Sequence, residues 1–300
     1  MSCGLPPSRH VLSFAALAGA LALAAMTPAR AQQLPDVNAL LVRVGERVGE
    51  FYNRAKNVIC IERSMVQAVD LDNSPVGFVR TVESELHLET GTDQNPDEAT
   101  FVRTVRKVNG RPPREKDAKD RAGCTDPNPL TDEPLMFLLP AHRSTYAFSV
   151  AGMGRDRNRS TLMIDFESVD RKSNPRLIEA PSGHDDCFDW NGHIASKGRV
   201  WVDAATYDVI RVEKRLRGPV DVRVPALIQR RHHIEPFVML MRDDMTIRYN
   251  TVAFTNPAEV LLLPESIDTF TVVRGGLQST RRNQTFSDYR RFVAEGKVLP

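Results

Sequence analysis

Along most of this chain, residues of opposite character alternate, and that period of two commits it to a β-sheet with one solvated and one covered face. The clearest case is residues 76–88. There Glu83, Glu85, His87 and the neighbouring Glu89 share one face, while Val82, Leu86 and Leu88 share the other. Strand signals also fall at 58–69, 100–108, 144–150, 161–169, 197–202, 209–216, 245–254, 265–274 and 277–286. Asn109-Gly110 is a tight-turn signal, read here as opening a long solvated loop over 111–122 rather than a two-residue hairpin. One segment follows the other period. Leu40, Leu41, Val44, Val48, Phe51 and Tyr52 recur at helical spacing, and Asp36 after Pro35 supplies an N-cap. About ten strands, one long helix, no linker and no repeat predict an α+β fold built on one strongly curved antiparallel sheet, an open half-barrel.

Something must fill the concave face of such a sheet. The long N-terminal helix is one candidate, and the apolar knot Leu135, Met136, Phe137, Leu138 and Leu139, closed by Pro140, is the other. Prolines bracket that knot too tightly for sheet pairing, so residues 130–139 predict a brief helix, with Thr131 and Asp132 placed to cap it. Beside a long loop, these five apolar residues form either a lid over an apolar cavity or a permanent plug, and they are the candidate ligand-binding residues.

Residues 1–31 read as an export signal: Arg9, an apolar stretch over 11–26, then Ala29-Arg30-Ala31 before Gln32. The stretch is too short and too Ala-rich for a span of about 20 apolar residues. Its cleavage takes away Arg9 and Arg30, which brings 40 Lys and Arg level with 38 Asp and Glu. A neutral chain makes no electrostatic case for nucleic acid or an anionic membrane. Residues 32–300 then form a single domain in an oxidising periplasmic or extracellular setting. Of the three remaining cysteines, Cys124 and Cys187 lie in polar loops and are the favoured disulfide. Cys60 sits in an apolar strand run as a buried thiol.

No Gly-x-Ser-x-Gly elbow, phosphate loop or dinucleotide fingerprint is present, so no catalytic residue and no cofactor is assigned. His184, Asp185, Asp186, Asp189 and His193 are metal-ligand types, but at loop spacing they read as a solvated acidic loop, and no metal is assigned. His232, His233 and Glu235, flanked by Arg230 and Arg231, read as an exposed basic loop, and Arg155, Arg157 and Arg159 as a charged strand edge or loop.

The stretch Gly198-Arg199-Val200-Trp201-Val202-Asp203, the turn Ala204 to Asp208, and the return Val209-Ile210-Arg211-Val212-Glu213 resemble the LolA/LolB-like group of periplasmic lipoprotein carriers. The related amino-terminal domain of RseB-type stress sensors shares the likeness. The tail from Asn283 to Phe292 is similar to the ending of uncharacterised exported proteins of that fold. The resemblance implies a half-barrel with an apolar cavity, and it carries over no functional residue. The expectation is an exported, non-enzymatic protein binding a lipid or lipidated peptide, with a lipidated protein or an envelope membrane protein as partner. The rival readings are a protein-interaction or stress-sensing module and, third, a metal-dependent hydrolase using residues 184–193.

Overall fold

The computed structural model describes residues 34–55, 58–89, 100–115, 117, 134–179, 188–255 and 257–291. All of them belong to the second of two compact units, Leu34–Pro300. The export signal at 1–31, Cys124, Cys187, the caps Thr131 and Asp132, residues 184–187 and Phe292 lie outside the described residues.

The helix α1 (Val37–Ala55) opens the unit, and its N-terminus is capped as its sequence predicts: the Ala39 N–H donates to the Asp36 carboxylate at 2.9 Å. Three strands follow, β1 (Val58–Val69), β2 (Pro75–Glu89) and β3 (Thr100–Val108). After two 3-10 turns, Met136–Leu138 and Arg143–Thr145, come β4 (Tyr146–Asp156), β5 (Arg159–Ser168), β6 (Arg176–Glu179), β7 (Phe188–Asn191), β8 (Ser196–Asp203) and β9 (Val209–Leu216). The chain continues with β10 (Val220–Arg223), a short helix α2 (Ala226–His232), β11 (Phe237–Thr255), β12 (Ala258–Arg274) and β13 (Ser279–Arg291).

Thirteen strands among the described residues join one sheet; ten run in the order β3-β2-β1-β13-β12-β11-β9-β8-β5-β4, whose two ends do not meet, and β10, β6 and β7 branch from it. The fold is thus α+β with a curved, open, almost wholly antiparallel sheet. The long strand β11 makes it fork. One side of β11 pairs with β12 throughout; the other pairs with β10 near Val238 and with β9 near Ile247. The arm β10-β6-β7 carries a small second core of Leu177, Val222, Leu240 and, from α2, Ile228.

Three strands and one helix therefore exceed the sequence expectation of about ten strands and one long helix. β6, β7 and β10 are four residues each, too short to show a period. The basic loop expected around His232 is instead the end of α2, closed by His233 in the left-handed conformation (φ 55°). The turn at Asn109-Gly110 also differs from expectation. Val108 and Arg111 exchange both backbone hydrogen bonds (2.8 and 3.2 Å), and the central residues have φ of 49° and 78°, so a two-residue turn forms before the loop begins. The start of that loop is tied down as well. Arg111 grips Asp117 through two hydrogen bonds of 2.7 and 2.8 Å, and this holds the Asp117 carboxyl well below the ordinary carboxylate range.

Alternation sorts the side chains between two faces. Val82, Ser84 and Leu86 are buried on β2, and Val200 and Val202 on β8. The opposite face carries a row in register across six strands: Asp165, Arg199, Glu213, Thr246, Asp268 and Asn283. Arg199 meets Asp165 there at 2.5 and 2.9 Å, and Arg199 and Arg211 flank the Trp201 ring at 5.9 and 4.1 Å. Arg157 and Arg159 join the polar periphery, paired with Glu265 and Asp203.

Candidate functional site

The inner face has two chemically distinct halves. Over β4, β5, β8, β9 and β11 it is apolar, and α1 lies against it. Leu40, Leu41, Val44 and Val48 share one core with Leu162, Ile164, Phe166, Val200, Val202, Val212, Ile247 and Tyr249. Each such side chain, fully buried, contributes about 1.5–3 kcal/mol. Gly198 keeps this core close-packed. A Cβ there would come within 1.9 Å of the Glu213 carbonyl oxygen and 2.5 Å of the Phe166 ring, so only glycine fits between them. That gives a physical reason for the glycine that leads the hairpin. At the hairpin's turn, Asp203 accepts hydrogen bonds from the Ala205 and Thr206 N–H groups at 2.9 and 3.1 Å.

The five predicted ligand-binding residues lie at one end of this apolar half. Leu135 and Leu138 are 2% and 0% exposed, and Met136, Phe137 and Leu139 are partly buried. The described segment is a single 3-10 turn rather than a longer helix. Phe137 extends an aromatic cluster, with its ring 4.6 Å from Phe166 and 5.5 Å from Tyr146, and stacked on Phe148 at 6.3 Å. Two side chains that the sequence reading passed over bind the turn to α1. The Leu135 N–H donates to the Tyr52 hydroxyl at 3.1 Å. The Arg143 guanidinium donates to the Leu41 carbonyl at 2.7 Å and to the Leu138 carbonyl at 2.9 and 3.3 Å. It fits because residue 45 is glycine: a Cβ there would sit 2.6 Å from Arg143 Nη2. Burial lowers the Arg143 pKa, yet it has no carboxylate partner among the described residues; backbone carbonyls hold it instead. Helix and turn are thereby one body, a plug. Nothing local to Arg143 announces this role, since a lone arginine after Pro140 reads as surface.

The other half of the inner face, over β1, β2, β3 and β13, contains a buried polar strip. Glu62 is 0% exposed; Arg103 grips its two carboxylate oxygens at 2.6 and 3.0 Å, and Gln284 adds a third hydrogen bond at 2.7 Å. Ser64 and Ser84, on the same face, are buried with no hydrogen-bond partner for their hydroxyls among the described residues. Cys60 borders the strip as a free buried thiol, and burial pushes its pKa up to about 12. The signal for the strip was available in the sequence. Glu62 and Ser64 fall on the covered parity of a strand whose other inward residues, Cys60 and Val66, are apolar.

The outer face holds two clefts of about 650 and 600 Å³ that share Asp244 and Thr246. Their walls mix charged side chains with apolar ones, Trp201 and Met245 in the first and Met65, Val79 and Phe270 in the second; Phe270 lies between Arg242 and Arg281, each 4.6 Å from its ring. Of the candidate metal ligands, Asp189 accepts a hydrogen bond from the Trp190 N–H, and His193 meets the Asp170 carbonyl at 2.9 Å. Among the described residues no three His, Cys, Asp or Glu side chains gather as a metal site. No described helix is long and apolar enough to cross a membrane.

No family model matches the chain, and no curated protein does. Solved structures do align with it. A LolA superfamily protein from Nitrosomonas europaea is similar over 89% of this chain and 96% of that one, at 10% identity and a TM-score of 0.31. A domain described as outer membrane lipoprotein-sorting, from Vibrio parahaemolyticus, covers 84% and 94% at 10% identity, with a TM-score of 0.33. A DUF1329 family protein from Desulfovibrio piger covers 87% and 95% at 9% identity, with a TM-score of 0.37. Likeness at this identity and TM-score sets no chemistry for the chain.

Proposed function

We propose that the chain is an exported, non-enzymatic binder of an apolar ligand, a lipid or the acyl chain of a lipidated protein, taken up on the apolar half of the inner face. The supporting observation is how that half is closed. A β-sandwich closes its core with a second sheet; here a helix and a turn do so, and Tyr52 and Arg143 tie those two to each other. The plug meets the sheet mainly through apolar side chains, with ion pairs such as Arg47–Asp208 and Arg54–Glu259 at its rim. An acyl chain presents the sheet with the same kind of surface, at about 0.8 kcal/mol per buried CH2. Exchange of plug for ligand therefore leaves the apolar face covered throughout.

The test is uptake of a fluorescent fatty acyl probe by the wild type and by Arg143→Ala. The variant loses the charged hydrogen bonds between turn and helix, so it is expected to take up the probe several-fold faster. Amide exchange in α1 should accelerate in parallel. Failure of both proteins to take up probe, together with no lipid in natively purified protein, would remove the proposal.

A further inference from the structure

We propose that β4 is an interaction edge that pairs antiparallel, about a two-fold axis, with β4 of a second copy of this chain. The two borders of the main path of the sheet, β3 and β4, are built differently. β3 carries Arg103, Arg106 and Lys107, the kind of charge that keeps an edge from pairing with another strand. β4 has no charged residue from Tyr146 to Gly154, and among the described residues no strand pairs with its free side. Its first stretch, 146–150, pairs with β5 residue for residue; a bulge at Ala151, with Gly152 at φ 139°, ends the regular run. Roughly five residues is an ordinary strand length.

The edge already contains its own complement. Tyr146, Phe148 and Val150 face inward and are half-buried at the rim of the Phe137–Phe166 cluster. Ala147 and Ser149 face outward, small and exposed, at the mouth of the 650 Å³ cleft. A two-fold axis through Phe148 sets Phe148 against its own copy, Tyr146 against Val150, and Ala147 against Ser149. The half-covered aromatic rim is then closed by a matching aromatic rim, and the free backbone groups gain extended partners. Within 146–150 this register sets no charged residue against another.

Sedimentation velocity across a range of micromolar concentrations tests the pairing. The wild type is expected to show a reversible dimer. Ala147→Lys with Ser149→Lys sets lysine against lysine across the axis and should raise the dissociation constant at least about tenfold. Both sites are exposed, so the thermal melt read at concentrations where the wild type is monomeric should not change. Ala147→Glu with Ser149→Glu should weaken self-association equally, and mixing the two variants should restore a heterodimer. Three results would overturn the proposal: a wild type monomeric throughout, a lysine variant that dimerises as the wild type does, or folded variants that stay monomeric when mixed. A wild type that remains monomeric yet binds an extended foreign peptide along β4 overturns the choice of partner.

Discussion

The two halves of the inner face solve the same burial problem with opposite chemistry. Over β5, β8 and β11, most covered positions are Val, Ile, Leu, Phe and Tyr, with Ser168 and Ser196 at one end, and the cover is an apolar helix face. Over β1, β2 and β13, covered positions include Glu62, Ser64, Ser84 and Gln284, and buried charge is neutralised by Arg103. Under the proposed function, the apolar half is the one that exchanges its cover. An acyl chain would offer that half the same kind of apolar surface as the plug does. A buried ion pair is directional, and removing either member strands the other in a medium that cannot solvate it.

The largest effect that would break this contrast is in the polar strip. Arg103→Ala leaves Glu62 buried with Gln284 as its remaining hydrogen-bond partner among those described, and is expected to cost about 3–5 kcal/mol in urea unfolding. Replacing both members, Glu62→Leu with Arg103→Met, should recover most of that loss; equal losses in the single and double variants would mean that the pairing is not what matters.

The next effect lies in the apolar half. Leu138→Ala opens a cavity at a fully buried site and is expected to cost about 2–4 kcal/mol, read by the same unfolding curve. If the turn is part of the plug, faster amide exchange should spread into α1 and leave β1 and β2 unchanged.

The smallest effect concerns an acid out of place. Asp243 shares the β11 face of Met245 and Ile247; its carboxyl accepts a hydrogen bond from the Thr271 hydroxyl at 2.9 Å, and it has no ion-pair partner among the described residues. Burial pushes its pKa up, so the fold favours the protonated form. The native state therefore holds that advantage at low pH and loses it as pH rises through the elevated value. Asp243→Asn keeps a partner for Thr271 and removes the charge. It should raise the melting temperature at pH 7 and leave it nearly unchanged near pH 3; a gain of equal size at both would show that ionisation is not the cause.

Much of this was legible from residue order. The helix and its Asp36 cap, the parity of β2 and the β8–β9 hairpin all follow from local rules that neighbours in sequence suffice to apply. The apolar knot was visible as a candidate, and its position beneath α1 was not. Arg143 is the sharpest case. Its partners, Leu41 and the space left by Gly45, lie about a hundred residues earlier in the chain, and no local pattern encodes a guanidinium held by a distant helix's carbonyls.

What the sequence determined by itself was the two-faced sheet and the helix that must cover it, because a period of two or of 3.6 acts between near neighbours. The tertiary structure alone decided that β11 forks the sheet, that Tyr52 and Arg143 tie helix and turn together, and that a buried polar strip interrupts the covered face. Those outcomes depend on which strands become neighbours, and strand order is set by the long-range packing of the whole sheet.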